Sequence, residues 1–544
     1  MANICSGSLI IMALVLGVVS AFGDEAAPTT AYPVLGILQV HPDLQRTEFA
    51  LSADETFEAI RERHLIYTGD GKWLRAVRDA KNRLGYDVPV IVYMGGFTTN
   101  YGGATEVETG YRGAVAMIDV TTLAESINAQ TTDVTVKMPP DGECPIVAST
   151  ADITDARDKR KYCFWLRVDD EMMKVLEVDE KTGRLRVERG FESAAAPHEA
   201  GATVFTPVYL GDRTQPTKYR SSNSWPGGRD YIRYALDPRA DDAQRYKADL
   251  IIALMKTGYD GAWLDTFQPR PFNLCDPLGG KIIYFWDFRT GQRYDWDSYR
   301  AGLQEFLRGV RRKVTEAVGR EPYLGANSVS GSYPRGGKLL FAAPDRPGLL
   351  DAYCFEDSYI TPTGGKRPDG KLDVTFDPIP LRRWLNVQRG ERDAALSGLR
   401  ALCMIGPAGY VSAYINPSLE NYEQLIRFSW CSYLLTVTRE RTTYFGLPLL
   451  ITKLGDRVGF LPLPDLCYYP IGDPVDNGDT ASFKLPGQDC YMRRFTNGLV
   501  VVNPSDEAAS VELPDGYVEP ESNTPVKQVE LSAGGGLLLP RAKR

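Results

Sequence analysis

Only three histidines, His41, His64 and His198, occur in the chain, and they lie far apart. That scarcity leaves poor material for a His/Cys metal centre, and no cysteine pair has zinc-site spacing. No G-x-S-x-G occurs, so a Ser-His-Asp hydrolase has little support. No G-x-G-x-x-G follows the first apolar strand, which removes the usual mark of a dinucleotide-binding fold. Positive charge is not in excess either: 62 Lys and Arg stand against 70 Asp and Glu, a net −8. The chain therefore has no general electrostatic reason to hold nucleic acid or an anionic membrane. A neutral substrate suits this balance, and neither cofactor nor metal is expected.

Beyond the first two dozen residues, no apolar run is long enough to span a membrane. The N-terminus itself has an apolar stretch from Leu9 to Val19, then small residues to Gly23 and the polar "DEAAPTT". Residues 1–23 read as a secretory signal cleaved near Ala21 or Gly23, giving a secreted or periplasmic protein. A basic n-region is missing, so an uncleaved anchor is the alternative. Eight cysteines remain after Cys5, widely dispersed. Cys144–Cys163 and Cys467–Cys490 are the nearest pairs that could close small disulfide loops.

What is present is a strand–helix rhythm over a chain of 544 residues, too long for one core. "VLGILQV" and "VPVIVYMGGF" are uninterrupted apolar strands, and "DETFEAIRERHLI" and "GKWLRAVRDAKNRLG" carry helical spacing. The rhythm resumes at "YIRYAL", with a helix closed by Gly258, the strand "YDGAWLD", and a long helix ended by Gly319. "PYLGAN" and "LDAYCFED" are further strands; a helical stretch around 380–405, "AGYVSAYI", a helix near 418–437 and "TTYFGLPLL" complete the series. About eight such units predict an α/β fold, a (β/α)8 TIM barrel over residues 34–445. Alternating positions and the turn "DEKTG" predict a small β insertion at 145–210. Short strands with Gly, Pro and Asn-Gly turns predict a C-terminal antiparallel β-sandwich at 446–544. That tail is either a sugar-binding module or, as the plainer reading, a lid over apolar barrel helices.

Within "GYDGAWLDTF" (258–267), strand alternation puts Gly261, Trp263 and Asp265 on one face and Ala262 and Leu264 on the other. Asp265 then ends its strand at the mouth of the sheet, where it acts chemically or merely caps a turn. In "LDAYCFEDSY", Ala352, Cys354 and Glu356 share one face; a one-residue change of register would offer Asp357 instead. Two carboxyl groups across a groove, one ionised and one protonated, are what glycosidic bond cleavage needs. Asp265 and Glu356 are thus the candidate catalytic pair. Asn327, Trp263, Asp357, His41, Gln39, Tyr93, Phe267 and Trp286 are candidates to bind the carbohydrate. The loop after Asp265 adds Phe272, Phe288, Tyr294 and Trp296; each aromatic has loop packing as its plainer role. Asp119 is expected to pack the insertion, and Asp237 to cap the helix near 240 or line the cleft.

These stretches resemble a family of hypothetical glycoside hydrolases, distantly similar to endo-polygalactosaminidase-like proteins. "GYDGAWLDTF" is similar to the family's fourth-strand motif, "ANSV" and "CFEDSY" to its fifth- and sixth-strand ends, and "YMRRFTNGLVVVNPS" (491–505) to a strand pair of its C-terminal sandwich. The likeness covers roughly 34–100 and 225–510. It implies a barrel with a catalytic aspartate at 265 and an acid at 356 or 357. Trp263 stands where the α-amylase superfamily has an arginine, and α-galactosidase-like barrels carry two aspartates on strands four and six. The leading expectation is a glycoside hydrolase; the alternatives are a non-catalytic carbohydrate-binding barrel of the cell envelope or exterior, and a structural envelope protein.

Overall fold

The computed structural model describes residues 34–37, 66–68, 82–83, 89–96, 110–140, 142, 144–146, 165–191, 193–210, 220–221, 233–265, 274–275, 282–283, 285–328, 349–356, 358–366, 372–396, 400–404, 419–439, 443–448, 451–454, 457–460 and 465–542. Eight strands make one parallel sheet: β1 (Val34–Ile37), β2 (Ile66–Thr68), β3 (Val90–Gly95), β4 (Gly261–Asp265), β5 (Tyr323–Ser328), β6 (Ala352–Glu356), β7 (Arg400–Met404) and β8 (Thr443–Pro448). Their order across the sheet is β1-β8-β7-β6-β5-β4-β3-β2.

The closed (β/α)8 barrel expected from the sequence is not what these residues form. β1 and β2 stand at opposite ends of the hydrogen-bonded order, and among the described residues no ladder joins them, so the ladders do not close a barrel. Four α-helices, not eight, occur among the described residues: α1 (Asp241–Thr257), α2 (Trp296–Val318), α3 (Leu381–Leu396) and α4 (Leu419–Thr436). The remaining strands fall into separate small sheets. The physical reason is that strand–helix alternation is a local pattern. Closure, by contrast, requires two edges far apart in sequence to pair in register, here over strands of four and three residues.

Other elements also shift. In "YIRYAL", Arg233–Tyr234 pairs antiparallel with Tyr209–Leu210, outside the parallel sheet. The helical stretch expected around 380–405 ends at Leu396, and Arg400–Met404 is strand β7. "AGYVSAYI" and the two early helical stretches, apart from residues 66 and 82–83, lie outside the described residues.

Helices α1 and α2 follow their sequence signals closely. α1 stops at Gly258 in the left-handed conformation (φ 108°), and α2 at Gly319 (φ 77°). Asp295 and Ser298 form a reciprocal capping box at the start of α2. The two helices bury Ala243, Ile251, Leu303, Phe306 and Val310 against Ala262, Leu264, Leu324 and Ala326 of β4 and β5. That packing defines the helix-covered face of the sheet.

A six-stranded antiparallel sheet is built from Met117–Thr122, Thr203–Pro207, Trp165–Val168, Glu171–Asp179, Arg184–Glu188 and Asp133–Thr135, in that spatial order. Its hairpin turns at "DEKTG", where Gly183 (φ 71°) returns its amide to the Asp179 carbonyl at 2.9 Å.

In the tail, Gly498–Asn503 pairs with Tyr491–Arg494 on one side and Gly535–Pro540 on the other. Val500 and Val502 pack into one cluster with α4 residues such as Phe428 and Leu435, while Leu499 and Val501 pack with Val511 and Leu531 of a second small sheet. This strand is therefore buried on both faces. Arg493 threads its guanidinium to the end of α4, donating to the carbonyls of Leu434 (3.0 Å), Leu435 (2.9 Å) and Val437 (2.9 Å). It thereby satisfies carbonyls that a helix end leaves open. Cys467 and Cys490 are both buried free thiols, so a 467–490 disulfide is not formed; Cys163 lies outside the described residues. No helix among the described residues is long and apolar enough to cross a membrane.

Candidate active site at the strand ends

The "GYDG" half of the 258–267 stretch is architectural. Asp260 accepts the Val90 amide at 2.8 Å and the Arg320 guanidinium at 3.1 Å, fixing the start of β4 beside β3. Gly261 (φ 159°) is required by close approach, since a Cβ there would overlap the Tyr323 backbone. Farther along, Ala262 and Leu264 join the helix-side core, and Trp263 is buried on the opposite face. The Trp263 ring occupies the space that a side chain on Gly325 of β5 would need. The expected alternation of this strand is therefore present.

The ladders extend that face from strand to strand. Trp263 pairs with Tyr93 and Gly325, and Gly325 pairs with Ala352. Asn327 pairs with Cys354, and Glu356 with Met404. By backbone register, Asp265, Asn327, Cys354 and Glu356 hold the strand positions in line with Trp263 and Gly325, alternating with those of Ala262, Leu264, Leu324 and Ala326. Asp265 ends β4 and is paired with Gly95, the last residue of β3. Glu356 ends β6. Two strand spacings, roughly 10 Å, separate the strands that carry the two acids. The register gives Glu356, with Ala352 and Cys354, to this face; Asp357 lies outside the described residues, as do Gln39, His41 and Phe267.

Tyr93, half-buried, belongs to the same face one ladder step from Trp263. Trp286 does not: its ring packs on Phe205 of the inserted sheet at 5.2 Å, and Phe288 does likewise at 5.0 Å. These loop aromatics hold the insertion to the parallel sheet's own loops. Asp119 makes a two-bonded pair with Arg293 (2.7 and 2.9 Å) across the same contact.

Asp237 is not the N-cap of α1, a position held by Ala240 without a side-chain cap. It is buried, accepting the Tyr294 hydroxyl at 2.6 Å and the Arg239 amide at 3.0 Å. Burial pushes its carboxyl up to about 6, against the pull of those two hydrogen bonds. Nearby, Arg239 and Asp287 form an ion pair at 2.5 Å.

A second buried acid, Glu171, sits in the inserted sheet. Arg189 grips both its oxygens at 2.7 Å, the amides of Gly190 and Ala196 add bonds at 2.8 and 2.9 Å, and His198 Nε2 lies at 2.9 Å. Burial opposes ionisation, yet these partners together hold its pKa down at about 2. This network is structural support for the insertion.

One charged residue near the strand ends was missed in the sequence. Lys247 falls in the apolar stripe Ala243–Lys247–Ile251–Met255 of α1, all four buried. Its ammonium donates to the carbonyl of Gly95. A lysine at that spacing within an apolar stripe was the available signal. Among the described residues, no cluster of three or more His, Cys, Asp or Glu has the arrangement of a metal site.

No family model matches the chain, and no curated protein does. Among solved structures, the chain is distantly similar to a GH27 β-L-arabinopyranosidase from Geobacillus stearothermophilus (12% identity, TM-score 0.31, covering 61% of this chain and 68% of that one). It is also similar to a GH31 dextranase from Flavobacterium johnsoniae (11%, 0.43, 94% of this chain and 52% of that one), of which it spans about half the length. A third is the debranching enzyme of Nostoc punctiforme (10%, 0.39, 94% and 99%). The likeness is thus to several different glycoside-hydrolase folds, at scores that decide neither barrel closure nor an activity.

Proposed function

We propose that the chain is a glycoside hydrolase that cleaves an O-glycosidic bond of an oligo- or polysaccharide with Asp265 and Glu356. One observation carries this reading: two acids, with Asn327 on the strand between them, share one face at the carboxyl ends of parallel strands. Ligands of parallel α/β sheets gather beyond those ends. In this mechanism ionised Asp265 attacks the anomeric carbon or activates water, and protonated Glu356 gives its proton to the departing oxygen. Asn327, uncharged, is suited to hold a sugar hydroxyl without disturbing the charge of either acid. Trp263 and Tyr93 supply the apolar floor. The motif likeness to endo-polygalactosaminidase-like proteins agrees with the position of Asp265 and identifies no particular sugar. Export under direction of residues 1–23 is part of the same proposal, supported by the apolar run Leu9–Val19.

The test is digestion of a glycan library by the purified protein, its Asp265→Asn form and its Glu356→Gln form. Each substitution is expected to lower hydrolysis by about 10²–10⁴-fold. Unchanged hydrolysis in both would sink the proposal, and saturable binding without products would replace it with a carbohydrate-binding protein. The anomer first released reports the chemistry: retention fits carboxyls about 5–5.5 Å apart, inversion about 6.5–9.5 Å.

A further inference from the structure

Two Asn–Gly steps occur in the chain, Asn477–Gly478 in "VDNGDT" and Asn497–Gly498 in "FTNGLV". Glycine after asparagine brings the next amide nitrogen within reach of the side-chain carboxamide, because no Cβ stands in the way. The fold treats the two steps differently. Asn497 is tied down: its side-chain amide donates to the Pro470 carbonyl at 3.1 Å, and its own carbonyl accepts the Arg541 amide at 2.9 Å. Gly498 begins the buried strand Gly498–Asn503. Asn477 is exposed in an irregular stretch, and among the described residues its carboxamide has no hydrogen-bond partner.

The peptide group between Asn477 and Gly478 is held by charge at both ends. Its N–H donates to Asp476 Oδ1 at 3.3 Å, and its carbonyl accepts Arg392 Nη2 at 2.5 Å. Arg392 is buried on α3; Asp476 is exposed, with Arg493 Nε 3.8 Å from the same Oδ1. The carboxylate and the guanidinium polarise this one peptide in the same sense. The first takes up the proton that the nitrogen must lose, and the second stabilises the negative charge that the loss spreads onto oxygen.

We propose that Asn477–Gly478 is a self-modifying site, where the fold promotes conversion of Asn477 to aspartate and isoaspartate through a cyclic imide, with Asp476 as base and Arg392 as oxyanion stabiliser. The Gly478 nitrogen passes its proton to Asp476 and bonds to Asn477 Cγ. The Cγ–Nδ2 bond breaks, and ammonia leaves with that proton. One water then opens the ring, at Cγ to give aspartate or at the main-chain carbonyl carbon to give isoaspartate. Arg392 sits on the main-chain oxygen, so it activates that second carbonyl and pairs with the carboxylate that its opening produces. Isoaspartate is therefore the favoured product. Each converted chain gains a negative charge beside the two arginines that cap α4.

The test follows the purified protein in mildly alkaline buffer, folded and in urea, by peptide mass spectrometry that separates aspartyl from isoaspartyl products. The folded protein is expected to convert Asn477 about tenfold faster than the unfolded chain, below the about 10²–10⁴-fold of an enclosed general acid or base because the loop is open to water. Asn497 is expected to slow on folding, and the isoaspartyl share at 477 to be larger in the folded chain. Asp476→Ser should remove most of the acceleration, and Arg392→Met should return the isoaspartyl share to its unfolded value.

Conversion of Asn477 no faster in the folded protein than in urea overturns the proposal, as does acceleration that survives Asp476→Ser. A mass change that persists in Asn477→Gln would place the reaction elsewhere and overturn it too. If Arg392→Met does not fold, the folded-to-unfolded ratios of the parent and of Asp476→Ser decide the outcome.

Discussion

The ring of Trp263 lies where a side chain on Gly325 would have to be, one strand over on the same face of the sheet. A residue that reads as a weak point in a strand, an interior glycine, is here the recess that admits an indole. Gly325→Ala should therefore overpack the floor of the candidate site and lower stability by about 1–3 kcal/mol. Urea unfolding followed by tryptophan fluorescence measures this. Adding Trp263→Phe to Gly325→Ala should recover part of the loss; an alanine tolerated without cost would mean that the ring is not held there.

Arg493 caps α4 through three carbonyls while itself fully buried. Arg493→Met should cost about 3 kcal/mol or more, because charged bonds are lost and buried acceptors are left open. Arg493→Lys should not restore it, since a single ammonium cannot reproduce the fork. The adjacent exposed Arg494→Met is the internal control, with a change inside about 0.5 kcal/mol. Equal losses at both positions would remove the capping role.

The two perturbed acids act on stability in opposite directions. Glu171, held at about 2 from its ordinary 4.5, contributes stability that is complete above pH 4.5 and lost as pH falls through about 2. Asp237, raised from 3.8 to about 6, contributes stability that is complete below pH 3.8 and lost as pH rises through about 6. Glu171→Gln should flatten the acid limb below pH 4.5. Asp237→Asn should remove the decline between pH 4 and 6. Denaturation midpoints collected from pH 3 to 8 check both, and an Asp237→Asn curve parallel to the parent would contradict the second.

The face assignment of "YDGAWLD" was legible because strand alternation is local: Ala262 and Leu264 meet helices, Trp263 does not. The register of Glu356 was not legible, because it depends on how β6 pairs with β5; the Gly325–Ala352 pairing supplies that register, and Asp357 lies outside the described residues. Closure of the sheet was overread from repetition. The partner of the loop aromatics was not legible: composition marks Trp286 and Phe288 as able to stack or to pack their loop, but not that Phe205, some eighty residues away, packs against both. Buried polar groups such as Glu171, Arg493 and Lys247 find their partners across the fold, so their roles had little sequence-local trace. Lys247 alone left a mark, as a charge inside an apolar stripe.

The Arg493 cap also bears on the order in which the chain is made. Leu434 and the arginine that donates to its carbonyl are 59 residues apart. At a synthesis rate of about 5–20 residues per second, α4 would wait several seconds for that cap. In the interval, Arg392, already made on α3, donates to the Thr436 and Val437 carbonyls at 3.3 and 3.0 Å. The earlier arginine can hold the helix end provisionally, and the cap of α4 is complete only when the tail strand that carries Arg493 arrives.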